Sequence, residues 1–522
     1  MEHKTGLRPI MFVGTGSNVG KSVITAGFCR IFRQDGHHPA PFKAQNMSLN
    51  SYATPGGLEI GRAQAVQAEA CGIPCHTDMN PVLLKPMTDQ RSQVILNGKP
   101  AGNYSAAEYF LSGSRETLFA EVKQSFQRLS ERYSPIVMEG AGSISEMNLK
   151  HLDITNMRMA MAAGAATYLI ADIDRGGVFG SLYGTMELLN HEEKQCIKGI
   201  IINKFRGDPQ LFEDGRAMLE QLCQVPVIGV LPYFRDIFIE EEDSVRHKKR
   251  GPFPKHGIQD SENQHGTNQS VRTVNIAVIL LNRLSNFTDF DRLEQDYRVN
   301  LYYTLEPGEI LQADIIILPG SKNTIEDLIT LKTNGVAEAI QLSYKNRKTV
   351  IGICGGYQMM GELIEDPLHM ETAIDRATGL GILPVRTIMR EQKTTRQRSF
   401  RFRENETICS GYEIHIGDTI PSGEQRPLAY FQEEDTDKDG THKEGTDEGA
   451  NDGYFLNARC WGTYLHGILD NPTVVNDLIA PYTDLPGQHT DYRQYKEEQY
   501  DKLAALIRQH INMDEIYKTL QS

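Results

Sequence analysis

Residues 9–36 leave this chain few folds to choose from. Residues 9–13 (PIMFV) form an apolar run of strand length, and residues 23–32 follow a helical pattern. Between them, residues 14–22 (GTGSNVGKS) are too glycine-rich to prolong the strand or start the helix early. A strand that feeds a helix through one short loop opens a strand–helix–strand unit, and such units assemble into parallel sheets. The loop also has chemistry of its own. Backbone N–H groups of Gly14, Thr15, Gly16 and Gly20, next to a helix N-terminus, make a seat for phosphate. Lys21 reaches terminal phosphates and Ser22 offers a hydroxyl to Mg2+. The loop is one residue longer than the usual spacing from the first glycine to Gly-Lys.

Further strands follow at intervals suited to a doubly wound parallel sheet up to about residue 240. Residues 135–143 (PIVMEGAGS) end a strand in a glycine turn, and Glu139 at its edge can ligate Mg2+ directly or through water. Residues 41–51 (PFKAQNMSLNS) place Lys43, Gln45 and Asn46 at a strand's C-terminal end, where open parallel sheets bind ligands. By themselves they read more readily as a hydrophilic loop. Residues 153–156 (DITN), beginning with Asp153, precede a helix whose Met157, Met159 and Met161 read as core packing. Residues 172–180 (DIDRGGVFG) put Asp172, Asp174 and Arg175 at another strand end. The bland alternative there is a structural Asp–Arg pair in a turn. Residues 199–205 make the next strand, with Asn203 near its end.

The composition changes at residue 241. Acidic residues run into HKKRGP, then Gln, Asn, Ser, His and Gly dominate, so 241–271 reads as a flexible, solvated linker. A second α/β domain is expected over 272–480. Its centre is 349–361 (TVIGICGGYQMMG): a strand, Cys354, two glycines and a helix, the layout of a nucleophile elbow. His466, in 463–467 (TYLHG), is the distant base that a thiol nucleophile needs. Residues 314–321 (DIIILPGS) end in a turn whose Gly320 and Ser321 amides, with that of Gly355, suit an oxyanion hole. Residues 436–451 read as an acidic insertion, and 481–522 as a helical tail with Leu503, Leu506, Ile507 and His510 on one face.

The bulk properties exclude several classes. The formal charge is −14, with no basic stripe, which argues against nucleic-acid binding. No run of 18 apolar residues marks a membrane span. Eight scattered cysteines suit a reducing cytoplasm. Cys71, Cys75 and His76 lack a second ligand pair at zinc-like spacing. No feature of the sequence sets an oligomeric state.

These motifs carry resemblances. ICGGYQ, LPGS and YLHG resemble the class I glutamine amidotransferase domain. That resemblance implies that Cys354 attacks the glutamine side-chain amide, forms a thioester and releases ammonia, with His466 as base and acid. The usual glutamate two residues after the histidine is Ile468 here, as in a cobalamin-pathway subgroup; what orients His466 stays open. The phosphate loop and EGAG turn resemble dethiobiotin synthetase, which implies that ATP activates a carboxylate. GTGSNVGKS, FKAQNMSLNS, NPVLLKP, EGAGS, ADIDRGGVFG, SNFTDFD, LPGSKNT and GTYLHG together resemble the cobyric acid synthase family almost end to end. This implies a corrinoid substrate, adenosylcobyrinic acid a,c-diamide, amidated at its b, d, e and g carboxylates with ATP, Mg2+ and glutamine. It implies ATP at Gly14, Thr15, Gly16, Gly20, Lys21 and Ser22, with Asn203 at the adenine edge, and metal at Ser22 and Glu139. Lys43, Gln45, Asn46, Asp153, Asp172, Asp174 and Arg175 fall near the carboxylate or the phosphate in flight. Alternatives are an a,c-diamide synthase, another polycarboxylate amide synthase, or a ParA-type nucleotide switch with an inert amidase-like domain. The FKAQNMSLN stretch weighs against the first, and intact Cys354 and His466 against the last.

Overall fold

The computed structural model describes residues 6–87, 91–105, 109, 114–240, 273–432, 451–487 and 491–522. The chain divides into two compact units, one of Met1–Asp243 with Arg493–Ser522, the other of Ser244–Tyr492. The expected linker at 241–271 falls wholly outside the described residues, as does the acidic insertion up to residue 450.

The first unit is built on six strands in the order Val227–Pro232, Ile197–Phe205, Ala166–Asp172, Ile10–Gly14, Ile136–Glu139, Ala40–Phe42. Every pairing is parallel. Ile10–Gly14 is buried along its whole length, which is why it reads as an unbroken apolar run. Alternation still sorts its side chains: Met11 and Val13 join one core, Ile10 and Phe12 the other. The crossover from Ile10–Gly14 runs through helix Lys21–Gln34, so the phosphate loop lies at the C-terminal edge of the central strand.

The C-terminal helices Tyr492–His510 and Met513–Gln521 pack on this sheet, with Leu503, Ala504, Ile507, Ile516 and Leu520 in the same core as Phe12 and Phe28. The segment expected as one tail at 481–522 is therefore shared: residues up to Tyr492 go with the second unit. Leu506 and His510 of the expected face are only half-buried. Gly27 permits the close approach, because a Cβ there would stand 2.2 Å from Ile507 Cδ1. Met157 and Met159 are core residues, whereas Met161 is exposed.

The second unit has a sheet ordered Val299–Thr304, Val274–Ile279, Ile315–Leu318, Thr349–Ile353, Cys460–Thr463, Tyr454–Asn457. All its pairings are parallel except the last. A long antiparallel hairpin, Val385–Phe402 with Ile408–Pro421, adds a further layer. Its second strand pairs with Leu465–His466 and sets Tyr412 opposite His466.

Candidate functional site

Cys354 sits where Thr349–Ile353 ends and helix Gly355–Met360 begins, with φ 51 and ψ −112. A non-glycine residue in this region is strained, and the surroundings must enforce it. They do so by close packing. A Cβ on Gly356 would lie 1.9 Å from the Leu318 carbonyl oxygen, so only glycine allows the turn. The Cys354 N–H donates to Thr463 O at 2.8 Å. This ties the elbow to the strand that leads to His466.

The His466 ring is 1% exposed. Its Nδ1 lies 2.7 Å from Asp289 Oδ2, while the Gly467 N–H donates to Asp289 Oδ1 at 2.9 Å. Tyr412 stacks on the ring at 5.4 Å between centroids. Burial pulls the imidazole's affinity for protons down, but the Asp289 charge and hydrogen bond, with the Cys354 sulfur, win and push its pKa up to about 10. Asp289, from the turn Phe287–Phe290, thus fills the orienting role that no residue near His466 in sequence supplies. The SNFTDFD motif contained it, but nothing local distinguishes Asp289 from Asp291 as the partner of a histidine so far along the chain.

Gly320 and Ser321 form a short strand against Leu284–Ser285. A Cβ on Gly320 would be 3.3 Å from His466 Cε1, and one on Gly355 would be 2.8 Å from Ser321 N. The three expected oxyanion-hole residues are therefore gathered beside the cysteine and histidine. The Ser321 hydroxyl donates to Asp327 at 2.6 Å, so that side chain is occupied in shaping the turn.

In the first unit, Lys21 Nζ donates to Gly16 O and Gly142 O, both at 2.9 Å, and so spans the phosphate loop. A Cβ on Gly14 would meet Val19 at 2.7 Å and Gly16 O at 3.0 Å, within the cradle itself. Ser22 Oγ donates to Glu139 Oε1 at 2.7 Å; Lys43 Nζ contacts the same oxygen at 3.0 Å; Gln67 Nε2 reaches Oε2 at 2.7 Å. Burial disfavours charge on Glu139, yet Lys43 and these donors hold its carboxyl below the usual range. Lys43, remote in sequence, thereby joins the phosphate loop and Glu139 in one cluster.

The remaining expected residues have local partners. Asn203 Nδ2 donates to Val19 O at 2.8 Å and braces the loop. Gln45 Oε1 accepts from Tyr109 and Arg115, and Asn46 Nδ2 donates to Gln64. The Asp153 carboxylate caps the N–H groups of Thr155 and Asn156. Asp172 accepts from Lys204 at 2.9 Å, Asp174 pairs with Arg206, and Arg175 is exposed, 3.8 Å from Asp172. Lys204 also donates to Asn18 O at 2.6 Å, which links the Asp172 turn to the phosphate loop.

Residues 10–245 match the CobQ/CobB/MinD/ParA nucleotide binding domain, and residues 275–474 the CobB/CobQ-like glutamine amidotransferase domain. A cobyric acid synthase of Parabacteroides distasonis is 56% identical over 99% of this chain and 100% of its own length. The chain belongs to the cobyric acid synthase family. Another member, from Bacteroides fragilis, is 56% identical over 98% of each chain, and one from Syntrophobacter fumaroxidans is 44% identical over 98% of each. Membership makes the chain a glutamine-dependent, amide-forming ligase of cobalamin biosynthesis that uses ATP. Among the described residues, no helix is long and apolar enough to cross a membrane.

Proposed function

We propose that this chain amidates the b, d, e and g carboxylates of adenosylcobyrinic acid a,c-diamide, a corrinoid, in the cytoplasm. The observation that carries the reading is the buried Asp289–His466 pair beside Cys354, in a chain that also holds a complete phosphate loop. Cys354 attacks the glutamine carboxamide, with the Gly320, Ser321 and Gly355 amides facing the developing oxyanion. His466 hands its proton to the departing ammonia, and Asp289 keeps the ring in register during the transfer. Water then releases glutamate from the thioester.

A carboxylate is a poor electrophile and must first become an acyl phosphate. Lys21 and the loop amides stabilise charge on the phosphoryl group as it passes from ATP to the carboxylate oxygen. Ammonia then displaces phosphate to leave the amide. Ser22 and Glu139 supply the hard oxygen atoms that suit Mg2+, and their contact at 2.7 Å puts both donors in one place. Held by these two residues, Mg2+ would supply charge neutralisation for the phosphoryl group in transfer. Lys43, Gln45, Asn46, Asp153, Asp172, Asp174 and Arg175 border the acceptor side, and Asn203 the nucleotide side.

Incubating the enzyme with ATP, Mg2+, glutamine and the a,c-diamide tests this by mass spectrometry. The expected series shows one small mass loss for each OH that becomes NH2, ending after the b, d, e and g positions. Unchanged corrinoid mass, with ATP and glutamine both bound, would overturn the assignment.

A further inference from the structure

Helix Arg62–Cys71 carries a buried glutamine, Gln67, whose two amide atoms have different fates. Its Nε2 donates to Glu139 Oε2 at 2.7 Å and to Ser22 O at 3.3 Å. An ionised carboxylate only accepts, so Glu139 fixes which end of the amide faces it. Gln67 Oε1 is thereby turned from that carboxylate, and it has no hydrogen-bond partner among the described residues although the residue is 1% exposed. A buried acceptor without a donor is costly, and one kept beside a charged cluster calls for an explanation. Two donors of the cluster are committed elsewhere, Ser22 Oγ to Glu139 and Lys43 Nζ to the same carboxylate, and Gln64 Nε2, three residues earlier on the helix, is likewise buried without a partner among the described residues.

What the orphan oxygen lacks is a donor that arrives with a ligand. The cluster that Gln67 joins through Nε2, with Ser22 Oγ and Glu139, offers hard oxygens that suit a small cation, which keeps several of its waters when bound. Those waters are strong donors and need fixed acceptors. A neutral amide oxygen meets this need without adding a second anion beside Glu139. We propose that Gln67 is a positioning residue for the divalent cation of the nucleotide site: its Oε1 accepts from a cation-bound water while its Nε2 holds Glu139. This rests on the reading of residues 14–22 as the nucleotide loop. Helix Arg62–Cys71 is thereby coupled to the charge state of the site through a single side chain.

The test uses the full chain with Mn2+ as the probe and a non-hydrolysable ATP analogue. Mn2+ affinity is read by electron paramagnetic resonance, and analogue affinity is read separately in EDTA. Gln67→Met, which keeps the volume but removes the acceptor, should weaken Mn2+ binding by about 10–100-fold, the usual effect of losing an outer partner of a metal site. Analogue binding in EDTA should stay as in the unaltered chain, which also reports that the unit is folded. Gln67→Asn retains a polar amide to satisfy the fold but withdraws the oxygen, and should show the same selective loss. Unchanged Mn2+ affinity in both variants would overturn the proposal. So would an equal loss of analogue affinity with and without cation, which would mark Gln67 as a support for the loop. Failure of the unaltered chain to bind the analogue at all would instead overturn the nucleotide-loop reading, and this proposal with it.

Discussion

Asp289 Oδ2 stands 2.7 Å from His466 Nδ1, across 177 residues of sequence. The other carboxylate oxygen accepts from the Gly467 N–H, so Asp289 cannot turn away from the ring without breaking a second bond. Asp289→Asn keeps the shape but offers an NH2 where an acceptor is needed. Glutamine-dependent amidation should fall roughly 10²–10⁴-fold, while amidation from ammonium chloride persists. Parallel assays with the two nitrogen sources check this, and equal rates from glutamine in variant and parent would refute the role.

The same pair makes the second unit's stability depend on pH. His466 binds its proton more tightly folded than unfolded, since its pKa is pushed from the ordinary histidine value up to about 10. The stabilisation is complete below about pH 6.5 and drains away as pH rises towards 10. Trp461, the single tryptophan, is buried in this unit and reports its unfolding by fluorescence. Denaturant midpoints should decline over that window, and His466→Gln should flatten the slope. A midpoint that rises from pH 7 to 9 in the parent but not in the variant would contradict the sign.

Cys354→Ala should abolish amidation from glutamine, because a methyl group forms no thioester. Amidation from external ammonia should survive and improve with pH, as more of the ammonia is uncharged. If the cysteine were only a core residue, both activities would drop together with folding. Measuring both on protein with an intact Trp461 signal separates the outcomes.

The elbow at Cys354, the position of His466 and the glycine-rich loop were legible because each concentrates its chemistry within a few residues. At Cys354 and at residues 14–22, glycines and a reactive side chain adjoin a strand end. Asp289 and Gln67 were not legible, since their roles arise from contacts with His466 and Glu139 made only by folding. The long hairpin of the second unit was missed for a different reason. Strand Val385–Phe402 alternates charged and polar residues along much of its length and offers little apolar periodicity.

Lys43 and Glu139 form a pair 8% and 1% exposed at their side chains. Lys43→Met should destabilise the first unit by about 3–5 kcal/mol, since it strands a buried carboxylate. Adding Glu139→Gln should recover part of that loss, as contacting residues are not additive. Hydrogen exchange of strand Ile10–Gly14 is the readout. A double variant as unstable as the sum of the singles would show that the two do not interact.

Gly27→Val should overpack the contact with Ile507 and Leu503, costing about 1–3 kcal/mol. Exchange should rise first in helix Tyr492–His510, while glutamine hydrolysis holds. Unaltered exchange throughout that helix would show that the glycine is not required there.

The last thirty residues belong to the same compact unit as the first strand, so the amidase-like unit is an insertion within the synthetase unit. A ribosome therefore finishes the inner unit before the outer one has all its parts. Strand Ile10–Gly14 and helix Lys21–Gln34 wait, with one apolar face uncovered, until Leu503 and Ile507 emerge. A single break in the gene between the two activities would consequently yield an N-terminal product without its closing helices. Separating the activities onto two polypeptides requires moving those helices to the upstream piece, by fusion or circular permutation.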